Sequence, residues 1–365
     1  VKYYIIAGEA SGDLHGSNLM KEICIRDAEA EFRCWGGDLM AAAGGVIVKH
    51  YKDLAFMGFI EVALHLRTIL GNIKICKKDI LAFGPDVIIL IDYPGFNLRI
   101  AEFAHNKGIR VVYYISPQVW AWKKSRVFTI RKVVDKMLVI LPFEKDFYKK
   151  YDFTVEYVGH PLLDVIEKGE RAGSKTHDKP LIALLPGSRK QEIQRVLPIM
   201  LSIVPSFPGH TFAIAAAPGI EPAFYNALLG HDAVELVFGR TYELLSAASA
   251  ALVTSGTASL ETALFEVPQV ICYKGSRLSF AIARIIVNIQ YIGLPNLIMD
   301  KKIITELIQD DLTQENLSRE LSDILGDDEK ITRIKEDYRL LRTLLGGKGA
   351  SRRAAEKITE FLKQP

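Results

Sequence analysis

Hydrophobic positions fall into short, nearly unbroken runs, separated by longer stretches whose apolar residues recur with helical period. The runs at residues 2–7, 87–91, 110–115, 137–141, 181–185, 211–215, 250–254 and 269–273 are rich in β-branched and aromatic side chains. Continuous hydrophobicity over five or six residues is the pattern of a strand that buries both faces, as in a parallel sheet covered by helices. Strands alternating with helical stretches predict repeated βα units and a doubly wound α/β architecture.

The alternation restarts once. Residues 167–180 read EKGERAGSKTHDKP, a charged stretch with Gly, Ser and Pro and no apolar period, which reads as a linker. Each half opens with a strand running into a Gly-containing turn, at Ile5-Ile6-Ala7-Gly8 and at Leu184-Leu185-Pro186-Gly187. The expectation is two Rossmann-like domains, 1–166 and 180–345, facing one another across a cleft, and a closing C-terminal helix at 346–365. Ligands in such folds bind beyond the carboxyl ends of the strands.

Composition narrows this picture without changing it. A chain of 365 residues, 49% hydrophobic and 24% charged, has material for two ordinary cores. The net charge of +3 gives no global reason to expect a nucleic-acid partner. Cys24, Cys34, Cys76 and Cys272 form no CxxC pair and have no zinc spacing, so reduced core thiols and no metal site are expected. The N-terminus turns polar too soon for a signal peptide, and no run reaches the roughly 20 apolar residues of a membrane span. A cytoplasmic protein is expected.

Candidate chemistry sits where strands end. The run at 181–185 leads into Pro186-Gly187-Ser188-Arg189, where free N–H groups at a helix start and a forked cation suit a diphosphate. An ordinary capped turn is the alternative. A second turn, Ser255-Gly256-Thr257, follows the run at 250–254 and opens a helix carrying Glu261, a carboxylate within reach of ribose hydroxyls or simply helix-start charge. Neither turn is a Walker A loop, and Gly8, Gly12, Gly16 is not a GxGxxG fingerprint. Asp92 ends the run at 87–91 and is placed to act as general base, or as a turn residue before Pro94. The turn Gly8-Glu9-Ala10-Ser11-Gly12-Asp13 is dense in polar groups. It lacks the glycines of a nucleophile elbow, so it reads as an acceptor-contacting turn. Within residues 56–76, Ile60, Ala63, Leu66, Ile69 and Leu70 form one helical stripe beside Arg67, Lys74, Lys77 and Lys78. That is the pattern of interfacial membrane contact, or of a helix buried on two sides. Trp120 and Trp122 hint at an interface too.

Several stretches together resemble the lipid-A-disaccharide synthase family of Gram-negative bacteria: AGEASGD at 7–13, MGFIEV at 57–62, IDYPGFN at 91–97, SPQVWAW at 116–122, LPFEK at 141–145, GHPLLD at 159–164, LPGSR at 185–189, SGTASLE at 255–261 and LPN at 294–296. They keep family order along nearly the whole chain, although the tail after Asp310 matches poorly. The resemblance implies an inverting GT-B glycosyltransferase of lipopolysaccharide biosynthesis, peripheral on the cytoplasmic face of the inner membrane, without metal or other cofactor. Its substrates would be UDP-2,3-diacylglucosamine and 2,3-diacylglucosamine 1-phosphate. It implies Asp92 as base and Arg189, with Gly187 and Ser188, at the diphosphate. It places Ser255, Gly256, Thr257, Glu261 and Asn296 on the nucleotide side and the acceptor in the N-terminal domain, which agrees with reading Glu9, Ser11, Gly12 and Asp13 as the acceptor-contacting turn. A homodimer that exchanges C-terminal segments is also implied. Three rivals remain: a transferase or epimerase of unacylated UDP-N-acetylglucosamine, a two-lobed binding protein, and a membrane scaffold without activity.

Overall fold

The computed structural model describes residues 1–54, 66–122, 124–170, 179–229, 234–276 and 290–364. Strands joined through helices cannot fold back as hairpins, so they pair in parallel, and every strand pairing among the described residues is parallel. The first sheet contains β1 (Lys2–Ala7), β2 (Glu31–Gly36), β3 (Val46–His50), β4 (Val87–Ile91), β5 (Arg110–Tyr114), β6 (Lys136–Val139) and β7 (Glu156–Tyr157). Its order is β3-β2-β1-β4-β5-β6-β7. The second contains β8 (Leu181–Leu185), β9 (Thr211–Ala216), β10 (Glu235–Phe238), β11 (Ala248–Val253), β12 (Gln269–Tyr273) and β13 (Thr305–Ile308), in the order β10-β9-β8-β11-β12-β13.

The centre of each sheet is formed by the runs with the strongest hydrophobicity. β4 and β8 are buried along their whole length, and β1 is buried after Lys2. Tyr4, Trp35, Ile88, Leu90 and Tyr113 belong to one core cluster of the first unit. Its polar atoms are paired: the Trp35 indole donates to the Tyr4 hydroxyl at 2.9 Å, which donates to Asp79 at 2.8 Å. Leu181, Ala183, Leu185, Ala251 and Val253 cluster in the second unit. Cys34, Cys76 and Cys272 are buried free thiols, and Cys24 is exposed.

The chain divides into Val1–Pro161 with Gly347–Pro365, and Leu162–Gly346. The boundary therefore lies at Pro161, ahead of the expected 166 and of the polar linker. The helix Leu162–Glu170 packs on the helices Thr241–Ala247 and Thr257–Leu264, so it belongs to the second unit. The final helix, Ala350–Lys363, returns to the first unit and lies against the helix Ala10–Cys24. Arg110 fixes its end, donating to the carbonyls of Phe361, Leu362 and Gln364 at 3.1, 3.0 and 2.6 Å. A cation at the carboxyl end of a helix complements its dipole.

Candidate active site

In each sheet the strand order reverses at one place, where adjacent loops diverge and leave a crevice beyond the strand ends. In the first sheet that place lies between β1 and β4, and in the second between β8 and β11. The turns singled out from the sequence follow these four strands: Gly8–Asp13 after β1, Asp92 after β4, Gly187–Arg189 after β8 and Ser255–Thr257 after β11.

Asp92 and Tyr93 both take left-handed backbone conformations, with φ of 42° and 51°, and Ile115 does so at 67°. A non-glycine residue there costs about 1–3 kcal/mol, and β-branched Ile115 is the least suited of the three. Specific bonds hold the strain. Asn97 Nδ2 donates to the carbonyls of Ile91 (3.2 Å) and Asp92 (2.7 Å). The Tyr113 hydroxyl donates to the Asp92 carbonyl at 2.6 Å, and the Asp92 N–H to the Ile115 carbonyl at 3.2 Å. Pro94 then starts the helix Pro94–His105, where its missing N–H is no loss. The Tyr93 ring lies against Gly8, where any added Cβ would stand 2.4 Å from Cγ of the ring.

Asp92 follows directly on the last residue of β4. The side chain is reachable from solvent, yet surrounding protein displaces much of its hydration. That loss, and then the Glu9 carboxylate, push its pKa up to about 7, against a smaller opposing bond from the Tyr93 N–H. A carboxylate with that pKa can both hold and release a proton at neutral pH.

Around Asp92 the acceptor-side residues separate. Ser11 is exposed on the first turn of the helix Ala10–Cys24, Glu9 is half-buried and Gly12 is packed against Ala7. Asp13 does not fit the role given to it. It is buried, and its carboxylate accepts from the N–H groups of Gly37 (2.8 Å), Met40 (3.0 Å) and Leu39 (3.1 Å), which open the helix Asp38–Ala42. It is an anchor for that helix, since its oxygens are engaged inside the chain.

In the second unit, Ser188 and Arg189 are exposed and extended backbone persists through Arg189, so the helix starts at Lys190 and not at Ser188. Arg189 Nη1 donates to Glu192 Oε1 at 2.8 Å, which steadies the guanidinium at the strand end. Gly256 has φ 136°, a conformation closed to side chains, and open space where a Cβ would stand. The backbone is thereby bare just before the first N–H groups of the helix Thr257–Leu264. The Ser255 hydroxyl donates to the Ile292 carbonyl at 2.8 Å and ties this turn to the next loop. Glu261 accepts from the Tyr242 hydroxyl at 2.8 Å, and burial raises its pKa.

Asn296 is a second correction. It is fully buried, and all four of its bonding positions are filled: Nδ2 donates to the Ile304 carbonyl and Glu306, and Oδ1 accepts from the N–H groups of Ile303 and Ile304. It holds the loop ahead of β13, and no capacity is left for a nucleotide. Glu306, unread in the sequence, completes the clamp by accepting from the N–H groups of Ile292 and Gly293.

Of the apolar stripe, Ile60 and Ala63 lie outside the described residues, and Leu66 begins the helix Leu66–Phe83. Ile69 packs against the core, which removes it from the outer face, and Leu70 is 51% exposed. Ile75 and Leu81 are also exposed, beside exposed Lys74 and Lys78. Asp79, the one acid of this helix, is engaged by Arg33 and Tyr4. Trp120 is buried edge-on against Phe143, so it is a core residue and not an interfacial one. Among the described residues no helix is long and apolar enough to cross a membrane.

Two parallel-sheet Rossmann-like units, each carrying polar turns at its switch point, define the GT-B class of fold used by nucleotide-sugar enzymes. Solved structures share it. A UDP-GlcNAc 2-epimerase from Neisseria meningitidis superposes with a TM-score of 0.70 at 11% identity, over 99% of this chain and 100% of its own. The calicheamicin glycosyltransferase CalG4 does so at 0.65 and 17%, over 100% and 98%. At such identities the likeness is one of fold. Sequence is more specific. A family model described as lipid-A-disaccharide synthetase matches residues 3–361. The lipid-A-disaccharide synthase of Syntrophus aciditrophicus is 40% identical over 99% of this chain and 97% of its own. That of Pseudomonas putida is 37% identical over 98% of each. The chain belongs to the lipid-A-disaccharide synthetase family.

Proposed function

We propose that the chain joins UDP-2,3-diacylglucosamine to 2,3-diacylglucosamine 1-phosphate, giving the β-1,6-linked disaccharide 1-phosphate and UDP. The observation that carries the mechanism is a reachable carboxylate, Asp92, held in strained backbone at the switch point of the first sheet, with its pKa near 7. Asp92 takes the proton of the acceptor 6-hydroxyl as that oxygen attacks the donor anomeric carbon. The bond to UDP breaks with its electron pair leaving on the phosphate, and attack from the opposite face inverts the centre. The transition state has oxocarbenium character, as in glycoside hydrolysis.

Charge growing on the leaving diphosphate is offset by Arg189 and by the N–H groups at the start of the helix Thr257–Leu264, past the bare backbone of Gly256. Glu261, near the start of the same helix, accepts from the ribose in this reading. These groups make a metal unnecessary in this reading. The exposed Leu70, Ile75 and Leu81, with Lys74 and Lys78, support contact with the inner face of the inner membrane. A dimer formed by exchange of the last helix would reuse the Arg110 contacts.

The test is to incubate the purified protein with both lipid sugars in mild detergent and EDTA, and to analyse products by mass spectrometry. Disaccharide and UDP in equal amounts are expected. UDP-N-acetylglucosamine turned over in place of the acylated donor would move the assignment to the unacylated-sugar enzymes.

A further inference from the structure

The stretch LPFEK at 141–145 has no part in the chemistry above, yet it carries one of the most enclosed carboxyl groups in the first unit. Glu144 is 1% exposed. Its Oε2 accepts from the N–H groups of Leu141 at 2.9 Å and Ile140 at 3.3 Å, the turn that follows β6. The same carboxyl faces the Ser116 hydroxyl and the Trp120 indole N–H, in the turn that follows β5. That indole N–H is buried and makes no hydrogen bond among the described residues. Ser116 also shares a 2.7 Å bond with the Tyr148 hydroxyl.

Next to Ser116 stands Ile115, left-handed at φ 67°. Its N–H donates to the Leu138 carbonyl at 3.1 Å, and its carbonyl accepts the Asp92 N–H at 3.2 Å. A line of bonds therefore runs from Glu144 through the end of β6 and Ile115 to the backbone of Asp92, across three successive strand ends.

We propose that Glu144 is a positioning residue for the transfer: its carboxylate braces the turn after β6, to which Ile115 is bonded, and through Ile115 holds Asp92 in its working conformation. This rests on Asp92 being the base. Among the described residues no cation pairs with Glu144. The groups that face it are Ser116, Trp120, Tyr148 and Tyr157 with the two backbone N–H groups. Burial pushes its pKa up to about 7, opposed by the bonds it accepts. Protonation weakens the acceptor that holds the Ile140 and Leu141 N–H groups and loosens the turn behind Asp92. Activity should then depend on two ionisations in the same range, one on the base and one behind it.

The experiment is the dependence of kcat/KM on pH, from about 5.5 to about 9, for the wild-type enzyme, Glu144→Gln, Ser116→Ala and Asp92→Asn. Near-UV circular dichroism serves as the check of fold. The wild-type acid limb should approach a slope of two. Glu144→Gln should reduce that slope to one and lower kcat about tenfold at high pH, with KM for the UDP-sugar unchanged, as for a small misplacement of a reacting group. Ser116→Ala removes a polar neighbour that lowers the Glu144 pKa, so its acid limb should move to higher pH. This variant carries the test if Glu144→Gln does not fold. An acid limb of wild-type slope and position in the folded variants would overturn the proposal. The Asp92→Asn arm separates the two ideas: normal turnover there removes the base, whatever Glu144 does.

Discussion

Asp92 shows what residue type and spacing can and cannot say. An acid at the end of a buried strand was enough to nominate it. The left-handed backbone and the bonds from Asn97 and Tyr113 that sustain it were not visible, because they depend on side chains five and 21 residues away. The raised pKa has a consequence for stability. The folded value, about 7, lies above the ordinary carboxyl value, so the folded state binds the proton more tightly. Stability therefore falls as pH rises from the ordinary value to about 7, and the penalty on the ionised form is complete above that. Asp92→Asn should raise the melting temperature at pH above 8, measured by calorimetry, and an unchanged or lower value would argue against the shift. Asp13 and Asn296 mark the limit of the same reasoning. Each is a polar residue near a strand-end turn, as a ligand-binding residue would be, but each spends its bonds inside the chain, Asp13 on backbone N–H groups and Asn296 on backbone groups and Glu306. Asp13→Ala should cost about 1.5–3 kcal/mol in urea denaturation, the range for hydrogen bonds to a charged group, with UDP affinity unchanged. A large loss of UDP affinity in the folded variant would return Asp13 to the site.

At the scale of elements, the strands read from the sequence are the interior ones. β3, β7, β10 and β13 went unread, and they are the four sheet edges. Edge strands bury less, so their hydrophobic signal is weak: no residue of β3 or β7 is buried, and β10 has one. β2 is interior and was missed because Arg33 interrupts it, an arginine whose charge is met by Asp79. A helical apolar stripe was legible over residues 56–76, but in the helix Leu66–Phe83 the inward side, Ile69, Ile73, Cys76 and Ile80, could be separated from the outward side only with the sheet in place. The outward side joins apolar residues to lysines. Lys74→Glu with Lys78→Glu should reduce sedimentation with vesicles of anionic phospholipid, each lysine near such a surface contributing about 1 kcal/mol. Turnover of detergent-dispersed substrate should be retained. Equal binding of the double variant and wild type would remove this face from the membrane reading.

For the whole molecule, two sheets, each with its own switch point, were readable from a single restart of the βα pattern. The point at which the chain passes between units was not, because the polar linker drew attention away from the helix Leu162–Glu170, whose Leu162, Leu163 and Ile166 are buried with the second unit. Nor was the return of the last helix, which is secured by contacts more than 200 residues apart in sequence, such as Arg110 to Leu362 and Arg26 to Glu356. Removing residues 347–365, and with them the buried Ala354, Ala355 and Ile358, should uncover the face of the helix Ala10–Cys24 on which the last helix lies and lower the melting temperature of the first unit, while UDP still binds the second. Loss of UDP binding together with the tail would contradict that division of labour.

The central claim is that Asp92 is the base of a metal-independent glycosyl transfer. The most direct measurement is turnover of both acylated sugars by Asp92→Asn, with UDP affinity measured on the same preparation. Loss of about 10²- to 10⁴-fold in kcat is expected for a missing general base, with UDP affinity unchanged. Turnover near that of the wild type would contradict the account.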